Sequence, residues 1–362
     1  MSESLLLGDI ADGKGLLIRE AAGPRFEVEA SLSRDISQFE VGNQRTWSQT
    51  SVDTYTGSND GPCRRFLVTV VSKAVRKAVQ KNAYLRREVL NPVLLPYGSV
   101  KTRLALPCSD IDLVLTGVQG HDDNRQEVLL TIAECIDAEI LAEGAKKKRN
   151  KASIGAWVDE VFVIPSETMP LLMLQSSKIL KSHTIQVDIT VQTENHTGIP
   201  TVVLVERYLD DAPKLRQLML VLKQLLRNGG LNKPFSGGLA SYSLFLMAAA
   251  FVAQEDPSLS VGRLLLRLLA FYSGCDLLEP SVTIANKNVA ELVASFDPTT
   301  MSIVLPSLKT PEITAIHRDI PPRFQTNPQH VVIIDPCNTS NNVGRPTFQF
   351  PVIQVSIDAR IT

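Results

Sequence analysis

Gly98-Ser99-Val100-Lys101-Thr102-Arg103-Leu104-Ala105-Leu106-Pro107-Cys108-Ser109-Asp110-Ile111-Asp112 is the stretch on which the reading of this chain turns. Gly98 has no Cβ, so the backbone there can approach another group closely, and the hydroxyl of Ser99 follows it. The run Ile111 to Leu115 predicts a strand. On extended backbone Asp110 and Asp112 leave from one face while Ile111 enters the other. Two adjacent anions require a cation, although a D-x-D pair taken alone is more often a turn or surface feature. Outward from this stretch, the apolar run Val93 to Pro96 predicts a strand before the Gly-Ser turn. Downstream, Ile185 to Val191 alternates strictly, with Gln186, Asp188 and Thr190 on one face, so Asp188 can join the pair from a neighbouring strand. Three converging carboxylates suit two Mg2+ or Mn2+ ions serving an in-line phosphoryl displacement, and the Gly98-Ser99 turn suits the phosphate chain.

The rest of the sequence frames that site. With 362 residues, 44% hydrophobic and 21% charged, the chain is long enough for two soluble domains. Lys+Arg is 37 against Asp+Glu 38, so no global basic excess marks nucleic-acid binding and a polyanion must be met locally. Cys63, Cys108, Cys135, Cys275 and Cys337 form no C-x-x-C pair and no histidine cluster accompanies them. Neither zinc nor a disulfide framework is expected, and reduced thiols imply an intracellular setting. The start of the chain lacks a secretory pattern, and Leu239 to Val252 is too short for a membrane span, reading instead as a buried helix.

Residues 49–62 read as a loop. Arg64 to Lys81 predicts a helix with Leu67, Val71, Val75 and Ala78 on one side and Arg65, Lys73, Arg76, Lys77 and Lys81 on the rest, a solvated face or a contact for RNA backbone. A helix is expected over Gln126 to Leu141, a strand over Val161 to Ile164, and helices over Leu215 to Arg227, Ser236 to Gln254 and Val261 to Tyr272. Lys146 to Arg149 is a second basic segment with the same two readings. Val331 to Ile334 is β-branched, and Asp335 to Arg345 is expected to be a polar loop. None of the histidines, His183, His196, His317 and His330 among them, is given a chemical role.

The full string from Gly98 to Asp112 resembles the nucleotidyltransferase motif of the DNA polymerase β superfamily, in the form used by noncanonical poly(A) and poly(U) polymerases. Val187-Asp188-Ile189 followed by Asn195 resembles that family's third-carboxylate strand and sugar-contacting asparagine. Leu220-Val221-Leu222-Lys223-Gln224 to Gly237-Gly238-Leu239-Ala240-Ser241-Tyr242-Ser243-Leu244-Phe245-Leu246 is similar to the central-domain helices of TRAMP-type poly(A) polymerases. Asp335-Pro336-(x4)-Asn341-Asn342-Val343-Gly344-Arg345 is similar to the nucleotide-recognition motif of the poly(A)-polymerase-associated domain. The resemblance covers about Leu94 to Phe350.

It implies an α/β (α+β) chain: a nucleotidyltransferase mixed-sheet domain over 64–200 and a mostly helical central domain over 201–362 with its recognition motif at 335–345, after a partly irregular extension over 1–63. The helix from Arg64 is expected to pack on the central domain, and the active site to lie in the cleft between the domains. By resemblance Asp110, Asp112 and Asp188 hold two Mg2+ or Mn2+ ions. Gly98, Ser99, Asn195, Lys223, Arg227, Ser241, Tyr242 and Asn341 bind the nucleotide, the two cations on its phosphates and Tyr242 stacking on the base. Asn341 stands where poly(U) polymerases commonly have a histidine, which favours ATP over UTP; an asparagine in a polar loop, here or at Asn338 or Asn342, is also a turn former. The implied activity is template-independent addition of AMP from ATP to RNA 3′ ends. The alternatives are a terminal uridylyltransferase using UTP and a nucleotidyltransferase-like scaffold without catalysis. An RNA helicase, a zinc-knuckle RNA-binding protein and a nuclear location are further implications, with no membrane. Two departures stand out: the family's lysine in the strand before the third carboxylate is Met173 here, and no helix is expected from Pro351 to Thr362.

Overall fold

A computed structural model describes residues 30–40, 60–107, 109–119, 124–144, 153–166, 169–177, 184–194, 196–273, 296–297, 302–303 and 333–354. In chain order the elements begin with helix α1 (30–40), α2 (Asp60–Lys81), α3 (Ala83–Glu88), strand β1 (Val89–Pro96), the helical turn α4 (Gly98–Lys101), β2 (Ile111–Val118) and α5 (Arg125–Gly144). Next come β3 (Val158–Ile164), β4 (Leu171–Ser176), β5 (Gln186–Val191), α6 (Gly198–Asp211), α7 (Lys214–Asn228), α8 (Ser241–Val252) and α9 (Val261–Ser273). Two short ladders follow, β6 (Phe296–Asp297) with β7 (Ser302–Ile303) and β8 (Ile334–Asp335) with β9 (Asn338–Asn342), and then a last helical turn α10 (350–354). The chain divides into two compact units, residues 43–202, and residues 1–42 with 203–362.

The first unit is built on a five-stranded sheet in the order β1-β2-β5-β4-β3, in which only the β2–β5 pairing is parallel. Strand alternation turns Ile111, Leu113, Leu115, Val187, Ile189, Leu172 and Leu174 to one face, where they are fully buried with α2 and α5. Each such aliphatic side chain contributes about 1.5–3 kcal/mol by leaving water. Leu67, Val71, Val75 and Ala78 of α2 belong to this same core. The expectation that this helix packs on the central domain is therefore corrected. Only the six-residue α3, capped by Asn82 accepting from the amides of Tyr84 at 2.9 Å and Leu85 at 3.1 Å, separates α2 from β1, so the apolar stripe folds back onto its own sheet.

The second unit is helical. Its α8 is buried from Ser243 to Phe251 and packs against α7 and α9. The helix begins at Ser241 rather than Ser236, because a 3-10 turn over Pro234–Ser236 ends in the left-handed Gly237, φ +84°. Part of the region before residue 63 also belongs here: Leu32 and Ile36 of α1 are buried, and Ser33 Oγ accepts from the amide of Gly262 at 3.0 Å. The segment expected as a polar loop pairs β8 with β9, and α10 forms after it with Phe350 and Ile353 buried, where no helix was expected. Among the described residues no helix is long and apolar enough to cross a membrane.

Candidate active site

The Gly-Ser turn is shaped by what it must avoid. Gly98 has φ +62°, and a Cβ there would lie 2.3 Å from Asp112 Oδ2, so only glycine lets the turn meet that carboxylate. Thr102 closes the turn from the other end, its amide and Oγ1 both donating to the Gly98 carbonyl at 3.1 Å. Leu104, Ala105 and Leu106 are buried and anchor the loop. Ser109 Oγ accepts from the Leu106 amide at 3.0 Å while its own amide donates to the Leu106 carbonyl at 2.9 Å. Arg64, 1% exposed, reaches in from α2 and donates from its two terminal nitrogens to the carbonyls of Pro107 and Ser109. The entry to β2, and with it Asp110, is thus held from a helix more than forty residues upstream. On the α2 helical wheel Arg64 shares the arc of Val71 and Val75, which is the sequence signal of its burial.

Asp112 and Asp188 are register partners on the parallel strands β2 and β5, about 4.8 Å apart. Asp110 precedes Asp112 by two residues and acts electrostatically on Asp188. Burial, with the charge of Asp110 added, pushes the Asp188 carboxyl up to about 6, against the hydrogen bonds that Gln186 Nε2 donates to its two oxygens at 2.9 and 3.1 Å. Beside them the Tyr97 amide donates to the Asp112 carbonyl at 3.0 Å, and burial followed by the charge of Asp112 raises the pKa of its hydroxyl. That hydroxyl lies 3.4 Å from Thr190 Oγ1, which is 3.0 Å from His196 Nε2, and His196 Nδ1 accepts from the Gly198 amide at 3.3 Å. An accepting Nδ1 puts the proton on Nε2, so His196 is a neutral, buried donor to Thr190, in keeping with the lowering of its pKa by burial. It braces the site and does no proton transfer in this arrangement.

Among the described residues no three carboxylate, histidine or cysteine side chains close into a preformed metal cage. Mg2+ is commonly bound by one or two carboxylates, with water and substrate phosphate completing its shell, so an open arrangement is no bar. A carboxylate that burial, with a neighbouring acid's charge added, holds back from ionising is what a hard divalent cation relieves. On donor chemistry Asp110, Asp112 and Asp188 fit Mg2+ or Mn2+.

The second unit holds a separate cluster. Asp335, 1% exposed, accepts from the Tyr242 hydroxyl at 3.0 Å, the Cys337 amide at 2.9 Å and Asn341 Nδ2 at 3.4 Å. Burial raises its pKa in spite of these bonds. An ionised carboxylate only accepts, so the amine of Asn341 turns toward Asp335 and its carbonyl oxygen is left outward. Asn342 and Asn338 are turn formers: Asn342 Oδ1 accepts from the amides of Ile333 and Gly344, and Asn338 Oδ1 from Ser340. Ser243 Oγ ties this loop to α8 by donating to the Val343 carbonyl at 2.7 Å. Lys223 is buried on α7 and Arg227, one turn on, is exposed; Ser241 is exposed at the start of α8. Asn195 and the basic segment Lys146 to Arg149 lie outside the described residues.

No protein-family model matches the chain. Poly(A) RNA polymerase protein 2 of Saccharomyces cerevisiae is 28% identical over 261 residues, 70% of this chain and 37% of that protein. The fold matches the polymerase core of TRAMP, an RNA surveillance complex, with a TM-score of 0.62 at 20% identity, over 91% of this chain and 85% of that one. The chain resembles the noncanonical poly(A) RNA polymerases. A structure of the Cid1 poly(U) polymerase bound to Mg and 3′-dATP shares the fold more distantly, with a TM-score of 0.54 at 17% identity, over 88% of this chain and 91% of that one. The poly(A) RNA polymerase likeness extends to a relative named inactive, Trf4-2 of Drosophila melanogaster, 29% identical over 163 residues, 45% of this chain and 34% of that protein. The chain spans little more than a third of the first of these curated relatives.

Proposed function

We propose that this protein adds AMP from ATP to RNA 3′ ends without a template, using Mg2+ or Mn2+. The observation that carries the reading is the parallel pairing that sets Asp112 beside Asp188, with Gly98 pressed against Asp112. A relative named inactive makes likeness alone insufficient, so the argument rests on the three aspartates and the turn, all of which are present.

Two divalent ions, when bound, would be held by Asp110, Asp112 and Asp188 and would supply Lewis-acid stabilisation of the attacking and leaving oxygens. The chain's own part is positioning. Gly98 and Ser99 give the triphosphate close access to backbone and hydroxyl, and Lys223 and Arg227 offer it positive charge. The RNA 3′ oxygen attacks the α-phosphorus, the bond from that phosphorus to the bridging oxygen breaks, and pyrophosphate leaves. Asp188 takes the hydroxyl proton on a carboxylate oxygen. Tyr242 stacks on the base, and Asn341, turned by Asp335, presents an acceptor to an exocyclic amine. Adenine carries that amine on its pairing edge and uracil carries a carbonyl there, which supports ATP over UTP. The sequence resemblance to TRAMP-type polymerases brings a nuclear setting, an RNA helicase and a zinc-knuckle RNA-binding protein into the proposal.

One RNA primer incubated with each of the four NTPs separately, with Mg2+ and then Mn2+, tests this. Extension by ATP alone or foremost is expected; preference for UTP would make the protein a terminal uridylyltransferase, and no extension by any would make it a scaffold.

A further inference from the structure

The sheet face that carries the carboxylates continues past them. In register across the sheet, Asp112 pairs with Asp188, Asp188 with Met173 on β4, and Met173 with Phe162 on the edge strand β3. One row over, Leu171 pairs with Ile164. Alternation puts these four apolar side chains on the carboxylate face, because their neighbours Leu172 and Leu174 are buried in the core on the other. Phe162 and Ile164 are each 42% exposed. On the opposite flank the row Glu160–Gln175–Gln186 is polar. An apolar patch rimmed by polar groups, on an edge strand where proteins usually avoid one, marks a surface in use.

We propose that Phe162, Ile164, Leu171 and Met173 form the platform on which the terminal nucleoside of the acceptor RNA rests, its base against Phe162 and Met173. The inference rests on the reading of Asp188 as part of the transfer site. The acceptor's 3′ oxygen must come to Asp188, and strand spacing sets Met173 about 5 Å and Phe162 about 10 Å further along the same face, roughly the reach of a nucleoside from that oxygen to its base. An aromatic ring and a thioether hold the face of any base and read no sequence, as a template-independent enzyme requires. No cation lies among the four, so this hold is insensitive to salt, unlike a phosphate contact. A protein partner would have to bury the adjacent carboxylates without neutralising them, which disfavours it as the occupant.

The test uses the whole chain with saturating ATP and two oligoadenylate primers, one intact and one with an abasic 3′-terminal residue. Phe162→Ala is expected to raise the KM for the intact primer about 5- to 150-fold, the effect of removing one stacking ring, while the KM for ATP is unchanged. Phe162→Trp keeps the wild-type value. The wild type is expected to lose a similar factor on the abasic primer, and Phe162→Ala to lose little more. If an active wild type and Phe162→Ala bind the intact primer alike, or if both suffer the same abasic penalty, the platform is wrong and the proposed function stands. A wild type that extends no primer overturns both.

Discussion

Replacing Gly98 with alanine separates backbone strain from disturbance of the carboxylates, because the chain contains its own control. Gly98 and Gly230 have nearly the same left-handed backbone, φ +62° and +68°. An alanine at either carries a penalty of about 1–2 kcal/mol. Around Gly230 a Cβ meets nothing within 4 Å. At Gly98 it meets Asp112 at 2.3 Å from Oδ2, 3.1 Å from Cγ and 3.4 Å from Cβ, so the carboxylate must swing about its Cα–Cβ bond rather than merely turn its end. A retreat of roughly 1 Å at reacting geometry lowers the rate by about 10²-fold. Urea unfolding should therefore show a loss of about 1–2 kcal/mol for Gly230→Ala and at least as much for Gly98→Ala, whose Cβ also displaces Asp112. Single-turnover primer extension should separate them, with Gly230→Ala at the wild-type rate and Gly98→Ala down by about two orders of magnitude. A Gly98→Ala protein that extends primer as fast as Gly230→Ala would refute the claim that the turn exists to receive Asp112.

Three further outcomes follow from particular contacts. Arg64→Met leaves the carbonyls of Pro107 and Ser109 without the guanidinium, and with charge-assisted bonds at about 1.5–3 kcal/mol each, urea unfolding should register a loss of about 3 kcal/mol or more, partly restored in Arg64→Lys. Asp335→Asn can donate to Asn341 as well as accept from it, so the amide is no longer held one way round; the ratio of kcat/KM for ATP to that for UTP should fall about fivefold, measured by competition on one primer. Burial lowers the pKa of His196, so below about 6.5 the unfolded chain takes up a proton that the native state resists. Stability is then fully present above that pH and falls as pH drops toward the folded-state value; melting temperatures between pH 5.5 and 7.5 should show this slope in the wild type and less of it in His196→Gln.

What the sequence makes legible here is pattern, and what it hides is contact between distant segments. Alternation in Ile185 to Val191 and one-residue spacing in Asp110-Ile111-Asp112 are enough to give two strands each with its acids on one face, and their register makes Asp112 and Asp188 neighbours. Pairing is non-local, so nothing in either strand indicates that Met173 completes the row beside Asp188. The α2 helix was readable by its apolar stripe, but the stripe carries no address, and the sheet rather than the helical unit receives it. Residues 30–40 lack a strong motif, yet Leu32, Ser33 and Ile36 belong with helices whose sequence lies some two hundred residues away. Asn341, Asn338 and Asn342 are indistinguishable as residue types; their carbonyl and amine partners separate the one facing Asp335 from the two that close turns. Asp335 is a charge whose role is set by burial, and burial is a property of the fold; Arg64 shows its burial by sharing the arc of Val71 and Val75, but the carbonyls it meets lie more than forty residues on.

The most direct test of the central claim is AMP incorporation into a labelled RNA primer by the wild type and by Asp112→Ala, each with Mg2+ and with excess EDTA, alongside melting curves for both. Asp112 is a half-buried strand residue on the face of the sheet away from the core, so the variant is expected to remain folded, with a cooperative melting curve like that of the wild type. Wild-type extension that depends on the metal, and its loss in a folded Asp112→Ala, is the predicted result; extension by Asp112→Ala at the wild-type rate would contradict it.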